Sequence, residues 1–161
     1  MPIIKVVTDE DLSNQFLQDV DLGVTINIDN RSIKSNNGVL STNSNSIFLV
    51  AGETVSVGQL VYSVNNTIFL FNKNEKTLID KVVGFTNNGG TSGTLIEVIT
   101  NGGICTNMYG LSPNTKYFAS TGGQITSAAP STGIRQVVAV ALTSTSIIVN
   151  IQDSILKAVV I

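Results

Sequence analysis

Residues 110–126 read GLSPNTKYFASTGGQIT. Pro113 and Asn114 turn the chain, because proline presets φ and asparagine tolerates the left-handed region. Tyr117 and Phe118 then alternate across a sheet, and Gly122-Gly123 turns the chain back ahead of the short apolar run at Ile125. The stretch therefore predicts strand, tight turn and strand. It has almost no charge and no group able to do acid-base work.

The same grammar extends outward in both directions. IFLV (47–50), LVYSV, TIFLF, KVVGF, TLIEVI, TKYFAS, VVAVAL and SIIVNI are short, rich in β-branched or aromatic side chains, and separated by Asn and Gly clusters. Such clusters include Asn65-Asn66, Asn87-Asn88-Gly89-Gly90 and Asn101-Gly102-Gly103. Short, evenly punctuated strands predict a mainly β fold, an antiparallel sandwich or barrel. Before residue 20 the pattern differs. Residues 3–7 (IIKVV) suggest a strand, and Thr8 with Asp11 three residues on suggests the start of a short helix carrying Leu12, Phe16 and Leu17 on one face.

Sliding the sequence against itself predicts a duplicated module of about 55 residues, covering 51–103 and 104–154. At an offset of 56, Ser56–Tyr62 falls on Ser112–Phe118, so Gly58 and Asn114 share a turn position calling for φ > 0. The Asn65-Asn66 turn then falls on Thr121-Gly122. At an offset of 55, Lys81–Phe85 falls on Gln136–Val140, and with a shorter loop in the second copy Thr94–Ile99 falls on Ser146–Ile151. Tyr62 and Phe118 are expected on equivalent strands.

Composition removes whole classes of chemistry. The 161 residues contain no histidine and one cysteine, Cys105. Without histidine there is no Ser-His or Cys-His nucleophile pair. A single cysteine closes no internal disulfide, and Cys105 reads as a small buried apolar side chain. The acids of the β region, Glu53, Glu75, Asp80, Glu97 and Asp153, lie outside any aromatic-rich context, so a two-carboxylate glycosidase built on Glu53, Glu97 and Asp153 is disfavoured. The glycine stretch at 87–94 lacks a GK[ST] ending and leads into a strand, which indicates a hairpin loop and not a phosphate loop.

No catalytic, cofactor-binding or metal site is expected. Asp19, Asp21 and Asp29 lack the glycine and terminal glutamate of a calcium loop. Asn30-Arg31-Ser32 and Asn65-Asn66-Thr67 match the glycosylation pattern, but MPIIKVVTDEDL lacks the layout of a secretory signal. Nine scattered Lys and Arg in a chain of formal charge −2 argue against nucleic acid, and no apolar run is long enough to span a bilayer as a helix. Asn, Ser and Thr supply 50 of the 161 residues, so the surface is polar through amides and hydroxyls, as on extended β surfaces that meet proteins or sugars.

GETVSVGQLVYSVNNTIFLFN, KVVGFTNNGG and NGGICTNMYGLSPNTKYFASTGGQIT, followed by RQVVAVALTSTSIIVNI, resemble a β module of tailed-bacteriophage virion proteins. Head fibres, capsid decoration proteins and tail or baseplate fibres carry it. The resemblance covers about residues 50–152 and runs through a Gly-x-Leu-Val-Tyr strand (58–62), a Val-Val-Gly strand (82–84) and a Gly-Leu-x-Pro-x-x-x-Tyr-Phe strand (110–118). It implies a non-enzymatic virion component, homo-oligomeric with a trimer favoured, binding the major capsid protein or another virion protein. Residues 1–50, which hold six of the eleven acids, are then an attachment or folding segment, and 51–161 the β domain. The rival expectation is a tail-fibre or baseplate domain that binds a receptor or carbohydrate through loops 87–93 and 127–133. The apolar C-terminus SILKAVVI is expected to pack on its own core or to add as a strand across a subunit interface.

Overall fold

The computed structural model describes residues 45–158. The strand expected at 3–7, the helix from Thr8, the Asp19–Asp29 acids and Asn30-Arg31-Ser32 lie outside the described residues. Within them the fold is mainly β, as the punctuated short strands predict, and the one helical element is a 3-10 turn at Lys76–Leu78. The first strand spans residue 50, so residues 46–50 are part of the β domain.

Strands β1 (Ser46–Ala51), β2 (Leu60–Val64), β3 (Thr67–Leu70), β4 (Val82–Thr86) and β5 (Leu95–Ile99) form a closed barrel in the order β1-β3-β2-β4-β5. All pairings are antiparallel except β1 with β3, where Val50 faces Thr67 and Ala51 faces Ile68 in parallel. A barrel of so few strands is narrow and takes only small or branched side chains inside. Leu49, Ala51, Val55, Val61, Ile68, Ile96 and Val98 fill it.

The second half repeats this order without closing. Strands β6 (Ile104–Cys105), β7 (Lys116–Ala119), β8 (Ile125–Thr126), β10 (Val137–Ala141) and β11 (Ile147–Val149) lie as β8-β7-β10-β11-β6. Substituting β3, β2, β4, β5 and β1 for them in turn gives the barrel order. Register agrees residue by residue. Tyr62 opposes Val82 and Val61 opposes Gly84, with a shift between them. Phe118 opposes Val137 and Tyr117 opposes Ala139, with the same shift.

The turns agree as well. Gly58 (φ 80) donates its N–H to Thr86 O at 2.8 Å, and Asn114 (φ 63) donates to Ala141 O at 2.8 Å. Thr86 N–H returns to Gln59 O as Ala141 N–H returns to Thr115 O, both at 2.9 Å. Ser112 N–H is held by the Tyr117 hydroxyl at 3.0 Å. The Gly58 and Asn114 equivalence therefore stands.

Two details of the repeat shift. Asn65 and Asn66 both have positive φ, as do Gly122 and Gly123, so the second turn is Gly122-Gly123 and not Thr121-Gly122. Thr86 opposes Val98 while Ala141 opposes Ile147, which matches Val98 to Ile147 and slides the last strand relative to the alignment of Thr94 on Ser146. The cause is the connection. The first copy's loop is pinned to Val55 by paired bonds with Gly90, whereas the second turns tightly through Leu142 N–H to Ser146 O.

The second module stays open because the first one fills it. Leu60, Phe71, Phe85 and Ile99, on the outside of the barrel, pack into one core with Cys105, Met108, Tyr117, Ala119, Val138, Ala139, Ile147 and Val149. Burial of a large apolar side chain contributes roughly 1.5–3 kcal/mol, so this shared core stabilises the joined modules substantially. Backbone bonds seal the seam. Lys73 N–H donates to Ser120 O at 3.0 Å, Gly123 N–H to Phe71 O at 2.9 Å, and Gly102 N–H to Val149 O at 2.8 Å.

A two-stranded sheet completes the domain. β9 (Gly133–Arg135) pairs antiparallel with β12 (Ile155–Lys157), Arg135 facing Ile155. The start of the C-terminal run therefore joins its own chain as a strand.

Candidate ligand cleft

Strand β7 alternates cleanly. Tyr117 and Ala119 are buried in the shared core, which points Lys116 and Phe118 to the opposite face. Register places Val137 beside Phe118, and β9 brings Arg135 over the ring, its Cζ 5.8 Å from the Phe118 centroid. A guanidinium on an aromatic face is held by ring electrons and keeps its N–H edges free for a ligand. Among the described residues neither the Lys116 ammonium nor the Arg135 guanidinium has a hydrogen-bond or ion-pair partner.

The far wall is the segment after β11. Gln152, Asp153 and Ile155 close with Lys116, Phe118, Arg135 and Val137 around a cleft of about 390 Å³. This wall is tied down from several sides. Gln152 N–H donates to Val137 O at 3.0 Å, and the buried Gln136 donates from Nε2 to Gln152 O at 2.7 Å. Ser154 Oγ donates to Asp80 Oδ1, and Asp80 N–H donates to Ser154 Oγ at 3.2 Å. The side-chain acceptor of Gln136, Oε1, is buried without a partner.

The cleft lies where the first module carries its seam. Lys116, Phe118 and Val137 occupy the positions of Leu60, Tyr62 and Val82, which pack against the second module. In the second copy no further module covers that face among the described residues, and the buried leucine position holds a lysine.

Of the five acids weighed from sequence, only Asp153 lines this cleft. Glu53 accepts Leu70 N–H at 2.6 Å and braces the end of β3. Glu97 accepts Ser46 Oγ–H at 2.9 Å and an N–H of Asn87, which ties β5 to β1 and to the preceding β4–β5 loop. Asp80 holds Ser154. Among the described residues no three His, Cys, Asp or Glu gather as a metal site, and no helix is long and apolar enough to cross a membrane. Cys105 is buried, and burial pushes its thiol pKa up from 9.0, against a smaller lowering by a backbone hydrogen bond from Asn107.

Comparison with protein-family models and with curated proteins finds no match for this chain. Loops 87–93 and 127–133, singled out from sequence, do not line the cleft. The first is a β4–β5 hairpin pinned to Val55, and the second leads into β9, whose Ile134 N–H donates to Lys73 O at 2.7 Å. Lys116 and Arg135 escaped the sequence reading, and Phe118 was read only as a strand aromatic, because their convergence depends on the register of separate short strands. The available signal was the repeat itself, which sets Lys116 against Leu60.

Proposed function

We propose that this chain is a structural protein of a tailed-bacteriophage particle, a head fibre or capsid decoration protein that acts as a homo-oligomer, with a trimer favoured. The observation that carries the proposal is the outer face of the barrel. Phe48 is 62% exposed, Leu95 58%, Val64 48% and Val50 39%. Register makes these one surface: Val50 opposes both Leu95 and Thr67, and Thr67 opposes Val64. A contiguous apolar face of this kind on a soluble β domain marks an interaction surface. It has a second copy of the same chain as its natural occupant, since a symmetric interface repeats one self-complementary patch.

The resemblance over residues 50–152 supplies the virion context, and the neutral, amide-rich surface suits a protein that works by contact. Light scattering on the purified chain tests the oligomer. It should give a mass above that of one chain, falling toward the monomer for Phe48→Asp. Immunogold labelling with an antibody to the chain tests the location. Label on phage heads supports the decoration reading, label on tails favours the fibre alternative, and purified particles that lack the chain overturn both.

A further inference from the structure

We propose that the cleft between β7, β9 and the segment 152–155 binds a carboxylate-bearing sugar of the uronic or sialic acid class. This goes beyond a structural role and does not rest on the virion reading. Three observations carry it.

The first is charge. Lys116 and Arg135 face the cleft with Asp153 on the opposite wall, so the site holds two cations and one anion. That balance matches a ligand with a single negative charge. A phosphate chain or nucleic acid would bring repeated charge against Asp153, and the surrounding chain offers no basic track to follow it.

The second is orientation. The Arg135 guanidinium carbon lies over the Phe118 ring, 5.8 Å from its centroid, and Lys116 sits two residues from Phe118 on the same face of the strand. An arginine held over an aromatic ring by cation–π attraction keeps its N–H groups available for paired bonds to a carboxylate, and the lysine adds a point charge beside it.

The third is the remaining lining. Gln152 and Asp153 offer amide and carboxylate groups to hydroxyls, while Val137 and Ile155 supply apolar contact for a ring face. A volume of about 390 Å³ sits at the small end of ligand sites. The anchoring of 152–154 through Gln136 and Asp80 keeps this wall in place before a ligand arrives, which lowers the ordering cost of binding.

The test is a titration of the full chain, followed by amide NMR, with N-acetylneuraminic acid and with glucuronic acid. Their methyl esters, glucose and inorganic phosphate serve as controls. Saturable shifts at Lys116, Phe118 and Gln152 are expected with both free acids, weakening with added salt. The methyl esters and glucose should bind roughly tenfold more weakly or not at all, because they lack the charge the guanidinium grips. Arg135→Gln and, separately, the exposed Lys116→Gln should each weaken the free acids by about tenfold, with the native amide spectrum retained, and Lys73→Gln should leave them unchanged. If Arg135→Gln unfolds the chain, Lys116→Gln alone decides. No saturable shift with either acid overturns the proposal. So does equal binding of acid and methyl ester, or inorganic phosphate binding more tightly than the acids.

Discussion

The backbone N–H of Leu60 donates to the carbonyl of Gly123 at 2.8 Å. Leu60 belongs to the closed barrel and Gly123 to a turn of the open module, so this bond crosses the seam between the two copies. Gly123 also returns its own N–H to Phe71, and its position at φ 74 is what lets both groups face the barrel.

Gly123→Ala should therefore cost more than Gly122→Ala, although both glycines have positive φ. At Gly122 an added Cβ meets nothing within 4 Å, so only the backbone penalty applies, about 1–2 kcal/mol. At Gly123 the Cβ lies 3.0 Å from Leu70 Cδ2 and 3.1 Å from Leu60 O, which presses directly on the seam. Urea denaturation of the two variants measures the difference. Equal losses would mean that the seam bears no load at this point.

Gly84→Ala should disrupt the barrel, whereas alanine already stands buried at the equivalent position, Ala139. A Cβ on Gly84 would lie 2.0 Å from Ile99 O, because β4 and β5 press together on the closed side of the sheet. The strands must separate to admit it, and overpacking of this kind costs roughly 1–3 kcal/mol or more. The reverse change, Ala139→Gly, leaves a small void in an open sheet and should cost about 1 kcal/mol. Thermal melts of the two variants give the comparison, and a Gly84→Ala protein as stable as the parent would contradict the closure described here.

Cys105 should resist thiol reagents in the native protein and react on unfolding. Burial raises its folded pKa above that of the unfolded chain, so folding favours the neutral thiol. The resulting contribution is fully present below the unfolded pKa and is lost as pH rises past it toward the folded value. Stability should thus fall in the alkaline range above about pH 9, and Cys105→Val should flatten that part of the curve. Chemical denaturation between neutral and alkaline pH, with labelling kinetics alongside, checks both statements. Rapid labelling of the folded chain would contradict them.

How much of this was legible in the sequence follows from what each signal depends on. Turn chemistry is local, so Gly58, Asn65-Asn66, Asn114 and Gly122-Gly123 marked the hairpins, and the alternation of Tyr117 and Phe118 marked a two-faced strand without saying which side chain faces the core. Repetition of that local grammar exposed the tandem copies. Closure is not local. Whether a five-stranded sheet shuts depends on β1 reaching β3 in parallel, and on Phe71 and Leu60 occupying the place where β6 would otherwise meet β8. Neither β6 nor β9 announced itself, because two or three residues leave no periodicity to read. The cleft was hidden for the same reason: Lys116, Arg135 and Asp153 converge only through the register of β7 with β10 and the pairing of β9 with β12.

Native-state hydrogen exchange tests the central claim, that a closed and an open copy of one β module fold as a single body through a shared core. The amides of Leu60, Lys73 and Gly123, which cross the seam, should exchange with the same opening free energy as Ile96 and Val98 inside the barrel, since separating the modules strips the burial of Leu60, Phe71, Phe85 and Ile99 from the barrel's outer face and the barrel does not stand without it. Seam and second-module amides that exchange through a lower-energy opening, while Ile96 and Val98 stay protected, would show two independently stable units and contradict the account.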